Sequence, residues 1–355
     1  MIYILTLSQI FIYSEIKSIK ISALIAVLIA IPSLFNIKNK IPPFTTIIIL
    51  TLVAYTFLLS FFGKSLNVLF STLFFIAIIL LGSKNTNTIT LKKIYVLTAL
   101  ICAIGVILQK IYFISTGNTF LTYYQYLETP VRNAFAFTWN DYSFLSLFIV
   151  SAVPFSSTKR PIISIILLTG SIVTTARTGI VSFVFIYSIL YIYSLYKHII
   201  SHEKSYFKII IIITTTLITI FFLPTIYETI SGRSLNISDS NRLNDFIKGY
   251  DFFIENKIFG ALLDFKQYSF NLNITAPHNL FIFALYIGGA IYFIIFLFFI
   301  FAIYLCTRYS KPDTITSLAI CFIGLNFIPT PFSAYFIAIL ISLARVESEN
   351  HSNKS

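Results

Sequence analysis

What most constrains this chain is how far it runs without a charge. The stretches 43–62 and 279–306 hold no Asp, Glu, Lys or Arg, and only 38 of the 355 residues are of these types. About 20 apolar residues in a helix cross the roughly 30 Å of a bilayer's hydrocarbon. A soluble domain needs about 25% charged residues, whereas this chain has 11%, with 57% hydrophobic residues and a mean hydropathy of +0.88. A water-facing surface cannot be built from that composition. Strands of a membrane barrel alternate apolar and polar residues, and these runs do not. The fold class expected is therefore an all-α polytopic membrane protein.

Apolar runs place spans near 1–13, 18–36, 43–62, 65–82, 93–115, 141–156, 161–175, 178–197, 207–224, 278–306, 313–328 and 331–345. That makes about 12 transmembrane helices: about nine in 1–224, a large loop over 225–277, about three in 278–346, and a tail over 347–355. Lys and Arg collect in short cytoplasmic loops. With the N-terminus inside, 14 of the 25 basic residues fall on the cytoplasmic side and 4 in short outer turns. Both termini are then cytoplasmic, in a bacterial inner membrane. The net charge of +12 is largely this topology signal, and nucleic acid is not an expected partner. The N-terminus opens on Ile2-Tyr3-Ile4-Leu5 without a basic region or a small-residue cleavage site, so no signal peptide is expected. Cys102, Cys306 and Cys321 lie singly in apolar runs, which argues against a disulfide framework or a thiolate metal site.

Two outer segments exceed a short turn, 116–140 and 225–277; the second carries 11 of the 38 charges. Loops of this length are usually functional or disordered. In the second, Ser238, Asp239 and Ser240 are N-cap candidates. Leu243, Phe246, Ile247, Tyr250, Phe253 and Ile254 then recur at helical spacing. An amphipathic helix is expected here, its apolar side turned toward the membrane helices.

No span carries an ionisable residue in its middle third, which argues against an ion-coupled carrier. Chemistry is expected at the outer boundary instead. Arg177 stands in the turn Thr174-Thr175-Ala176-Arg177-Thr178-Gly179, where an arginine snorkelling to headgroups is the default. Arg132 and Arg242 lie in the two long loops, where solvated side chains are ordinary. His278 sits at the start of the tenth span, and Trp139 reads more readily as an interfacial anchor than as a ligand contact. All share one side of the membrane. Guanidinium groups suit a phosphate or pyrophosphate, and a histidine of pKa about 6.5 can accept a hydroxyl proton. The loop's acidic residues show no tight metal spacing, so cationic side chains would have to take the leaving-group charge. Group transfer from a lipid-linked pyrophosphate fits this set, with no metal or other cofactor.

Three blocks resemble the O-antigen polymerase and O-antigen ligase superfamily of bacterial inner-membrane glycosyltransferases. The first is Arg132 to Asn140, leading into a span. The second is Ser171 to Gly179, ending in Ala-Arg-Thr-Gly. The third joins Asn241-Arg242, the amphipathic helix, Glu255-Asn256-Lys257-Ile258-Phe259-Gly260, Pro277-His278-Asn279-Leu280 and Tyr286-Ile287-Gly288. The likeness covers about residues 130–330 and departs from the family around Gly260, where the family often has Pro and a second Gly and this chain reads Asn-Lys-Ile-Phe-Gly-Ala.

The resemblance implies metal-independent glycosyl transfer at the periplasmic face from an undecaprenyl-pyrophosphate-linked oligosaccharide. Arg177 and Arg242 would bind the pyrophosphate and His278 would act as base on the acceptor hydroxyl. Arg132 and Asn279 would contact substrate. The Ile-, Asn-, Lys- and Phe-rich composition favours a polymerase, whose acceptor is a second lipid-linked unit, over a ligase, whose acceptor is lipid A–core. A chain-length-regulating co-polymerase would be a further partner besides membrane lipid. The rival from another class is a lipid-linked oligosaccharide flippase, which would need a polar path through the membrane.

Overall fold

A computed structural model describes residues 1–11, 15–16, 19–20, 42–63, 66–83, 85–126, 132–156, 161–200, 224–225, 227–230, 242–264, 278–328 and 331–352. The chain is mostly helical. Helices α1 (Ile2–Ser8), α2 (Pro43–Gly63), α3 (Leu66–Leu81) and α4 (Thr88–Thr116) are followed by α5 (Tyr142–Ser151), α6 (Pro161–Val173) and α7 (Arg177–Ile200). Then come α8 (Arg242–Glu255), α9 (Leu280–Thr307), α10 (Pro312–Leu325) and α11 (Tyr335–Ser352). Among the described residues four segments are long and apolar enough to cross a membrane, namely Pro43–Gly63, Thr88–Thr116, Arg177–Ser194 and Leu280–Thr307; α3, α6 and α10 are shorter apolar helices. The protein is thus membrane-embedded and helical, as its composition requires.

The seven residues of α1 reach about 10 Å at 1.5 Å per residue, too short to cross. Expected spans 18–36 and 207–224 lie almost wholly outside the described residues. Strand β1 (Glu15–Ile16) pairs antiparallel with β2 (Ile19–Lys20). A β-hairpin, β3 (Thr122–Tyr126) with β4 (Arg132–Phe137), lies inside the long expected loop 116–140.

The chain forms two compact units, one of residues 1–98 and 240–355, the other of 99–239, with the boundary inside α4. In the second unit the hairpin hangs on Gln109. This wholly buried side chain donates to the carbonyls of Phe120 (2.6 Å) and Thr122 (3.0 Å) and accepts from the Phe137 amide (3.0 Å). A glutamine inside an apolar helix has to satisfy both ends of its amide, and here three backbone groups do so. Trp139 is fully buried and stacks on Phe148 at 5.1 Å, so it is a core residue of this unit rather than an interfacial anchor. Small residues let α5, α6 and α7 approach closely, as is common between membrane helices. Ser146 and Ser171 hydroxyls meet at 2.7 Å, and Gly179 lies against the Ser146 backbone.

In the first unit α2 packs on α9, and α3 on α11, with Phe74 edge-on to Tyr335 and Phe75 edge-on to Phe332. Helix α11 continues to Ser352, well past the expected span end, because its last turns carry a buried ionic cluster. Lys92 lies 2.8 Å from both Asp313 and Glu347. Glu347 also accepts from the Thr314 hydroxyl (2.8 Å) and the Lys311 amide (3.1 Å). Removing one partner of a buried pair strands the others, at roughly 3–5 kcal/mol. Glu347→Ala is expected to lower the stability of the detergent-solubilised protein by about 3 kcal/mol, the low end because Asp313 still faces Lys92; thermal unfolding followed by far-ultraviolet circular dichroism would check this. An unchanged midpoint would mean that water satisfies the cluster.

Helix α9 is broken once. Gly289 adopts φ 72°, ψ −170°, a non-helical geometry between two helical stretches. The interrupted ladder leaves backbone groups that need partners, and the turn after α8 supplies them. The amides of Ala261 and Leu263 donate to the carbonyls of Tyr286 (2.8 Å) and Ile287 (2.9 Å), and the Ala290 amide donates to the Lys257 carbonyl (2.8 Å). Gly260, at φ 53°, faces Tyr286, Gly288 and Gly289 with no room for a Cβ. The same turn touches the end of α2, where the Leu262 carbonyl occupies the place a Cβ on Gly63 would take.

Candidate functional site

The side of α8 that meets α9 is not its apolar side. Asp245, Gly249 and Phe252 are buried there, while Phe246, Ile247, Tyr250 and Ile254 are exposed. One turn apart, Gly249 adds no side chain to this side and Phe252 meets Tyr286 at a tilt, with ring centroids 5.0 Å apart. This corrects the expectation that the apolar residues pack on the membrane helices.

Asp245, only 6% exposed, faces His278, with Oδ2 3.7 Å from Nδ1. The separation exceeds a hydrogen bond, but catalytic contacts are often long without substrate and tighten in the complex. A carboxylate facing one ring nitrogen favours the tautomer that leaves the other nitrogen as acceptor. His278 itself is partly accessible. The pair is therefore suited to taking a proton from a hydroxyl.

Asn279, read as a substrate contact, has a structural task here. It is the N-cap of α9: its Oδ1 accepts from the amides of Phe281 (3.0 Å) and Ile282 (3.1 Å), the usual way a cap satisfies first-turn donors. Its Nδ2 lies 3.5 Å from Asn326 Oδ1. Capping fixes where α9 begins, and so holds His278 one residue before it.

Arg177 opens α7, directly after the turn that ends α6. Thr175 in that turn has φ 64°, an uncommon conformation for a β-branched residue. It is held by the buried Tyr227, whose hydroxyl donates to the Thr175 carbonyl at 3.0 Å. Thr174 adds a bond to the Ser171 carbonyl (2.7 Å) and accepts from the Ala176 amide (3.2 Å). The Ser171–Gly179 block is thus a locked turn that sets the position of Arg177. Tyr227, at the start of the long loop, is a supporting residue that sequence reasoning missed.

Arg132 opens β4, paired with Tyr126, and Arg242 opens α8. Arg132 and Arg177 belong to the second unit, while Arg242, Asp245, His278 and Asn279 belong to the first. Within the first unit, the third block's scattered pieces do come together: the 255–260 segment is bonded to the 286–290 segment by its backbone, and α8 is set against His278. Asp245 was read only as one of several loop acids, and nothing in its spacing singled it out. Among the described residues no three His, Cys, Asp or Glu side chains gather as metal ligands.

No protein-family model matches this chain, and no curated protein is significantly similar to it.

Proposed function

We propose that the protein is a glycosyltransferase of the O-antigen polymerase type. It joins undecaprenyl-pyrophosphate-linked repeat units at the periplasmic face of a bacterial inner membrane. The observation that carries this reading is the buried carboxylate of Asp245 set against His278, next to a helix that begins with Arg242. His278 takes the proton of a sugar hydroxyl on one lipid-linked unit. That oxygen attacks the anomeric carbon of the other unit's donor sugar, and the bond from this carbon to the pyrophosphate oxygen breaks. The leaving polyprenyl pyrophosphate keeps the electron pair, and its charge falls to Arg242 in the same unit. Oriented cationic donors at a developing anion are the strongest lever such a site has without a metal.

In this reading the chain acts with a co-polymerase that sets product length. An apolar cavity of about 430 Å³ is lined by Leu280, Phe296, Phe299, Phe322 and Phe332 and reaches Arg308 at the other end of α9. Its lining suits hydrocarbon, in keeping with a lipid-linked substrate.

The test is lipopolysaccharide banding from a strain deleted for this gene. Core bearing a single repeat unit is expected. Core with no unit would overturn the polymerase reading in favour of a ligase or a flippase, which differ in whether lipid-linked chains accumulate in the periplasm.

A further inference from the structure

Helix α8 has three sides rather than two. At about 100° per residue, Asp245, Gly249 and Phe252 form one sector, buried against α9. Asn244, Asp251 and Glu255 form a second, exposed and polar. Phe246 (40% exposed), Ile247 (49%), Tyr250 (45%) and Ile254 (44%) form a third, exposed and apolar. A helix packed on a soluble core would bury its apolar sector. This one buries Asp245, Gly249 and Phe252 and leaves four large apolar side chains outside.

The surroundings say what covers them. The apolar sector runs on into Ile258 and Phe259, which are also exposed. These residues belong to the turn bonded to the break in α9 and seated against Gly63 at the end of α2. Phe61 and Phe62 in the last turn of α2, and Ile291 and Ile294 just after the break in α9, are exposed apolar residues of membrane-crossing helices. Helix α2 has 21 residues, about 31 Å, and the part of α9 beyond Gly289 is about 27 Å long at 1.5 Å per residue. Each matches the hydrocarbon thickness. The turn therefore sits where both helices leave the hydrocarbon, and α8, continuous with it, lies at that level.

We propose that α8 is an interfacial helix, lying at the headgroup boundary of the bilayer with Phe246, Ile247, Tyr250 and Ile254 in the acyl region and Asp251 and Glu255 toward water. An apolar sector beside a charged one is the pattern that binds this zone. The occupant of the exposed apolar sector is lipid, and the inference holds whatever reaction the protein performs. Its geometric result is that Asp245 and His278 are carried at headgroup depth.

The test uses the full chain in nanodiscs of phosphatidylethanolamine and phosphatidylglycerol, with Cys306 changed to Ala; Cys102 and Cys321 are wholly buried. Ile247→Cys, Ile254→Cys and Asp251→Cys are each spin-labelled, and collision rates with oxygen and with a water-soluble nickel chelate are measured. All three positions are exposed, so the labels do not disturb packing. The oxygen-to-nickel ratio is expected to be several-fold higher at 247 and 254 than at 251. Equal ratios at the three positions would place the apolar sector in water and overturn the proposal. Labels at 247 and 254 shielded from both reagents would mean that protein covers the sector, which would overturn it equally.

Discussion

Changing His278 to Ala is expected to leave a strain with core carrying one repeat unit and no long polysaccharide, while the protein stays in the membrane at normal abundance. Loss of a general base removes about 10²–10⁴-fold of rate, enough to erase a ladder of bands. Stability should change little, because the side chain is partly solvent-facing and the start of α9 is held by Asn279 rather than by the histidine. A companion change, Asp245→Asn, keeps the shape of the side chain and removes its charge. If Asp245 orients His278, turnover should fall with substrate KM nearly unchanged. A purely structural role would instead reduce protein abundance in step with activity. Long polysaccharide of normal amount from the His278→Ala strain would sink the base assignment outright.

Gly289→Ala is expected to be the most damaging small substitution in the described membrane helices. The conformation at Gly289, φ 72° and ψ −170°, lies in a region almost reserved for glycine, where another residue costs about 1–3 kcal/mol. A Cβ there would also meet the Ile258 carbonyl and the Phe259 amide, which are backbone and cannot rotate away. Strain and collision together would push the 257–263 turn off α9 and strand the backbone groups it satisfies. Gly117→Ala supplies the comparison, since Gly117 has a similar φ of 69° but nothing within 4 Å of a built Cβ. It should show the strain alone, about 1 kcal/mol. The check is the thermal midpoint and monodispersity of both variants in detergent. Equal shifts would mean that the turn gives way easily and that the joint is loose.

The membrane class was legible because composition alone decides it, and α8 because its apolar residues recur at helical spacing. Which side of α8 faces protein was not legible. In water, apolar residues turn inward, but beside a bilayer lipid is as good a partner as a leucine. Spacing therefore revealed the apolar stripe of Phe246, Ile247, Tyr250 and Ile254 without its destination. Asp245 was hidden for the converse reason, since an acid in a charged loop looks solvated until the neighbouring helix is in place. Gln109 is an amide within an apolar run, and Phe135 and Phe137 alternate with Ala134 and Ala136 as strand residues do. The N-cap role of Asn279 follows from a polar residue opening an apolar helix, a signal present in the sequence and read instead as a ligand contact.

The joint between the 257–263 turn and the broken helix has a consequence for ancestry. It is made of amides and carbonyls, which every residue but proline supplies in full, so it makes few demands on side chains beyond the glycines at 63, 260 and 289. The remaining positions can drift among apolar residues while the same atoms meet. A lineage held together in this way can keep its architecture long after its sequences have ceased to resemble one another. Likeness would then survive as a few glycines at fixed places rather than as a stretch of identity.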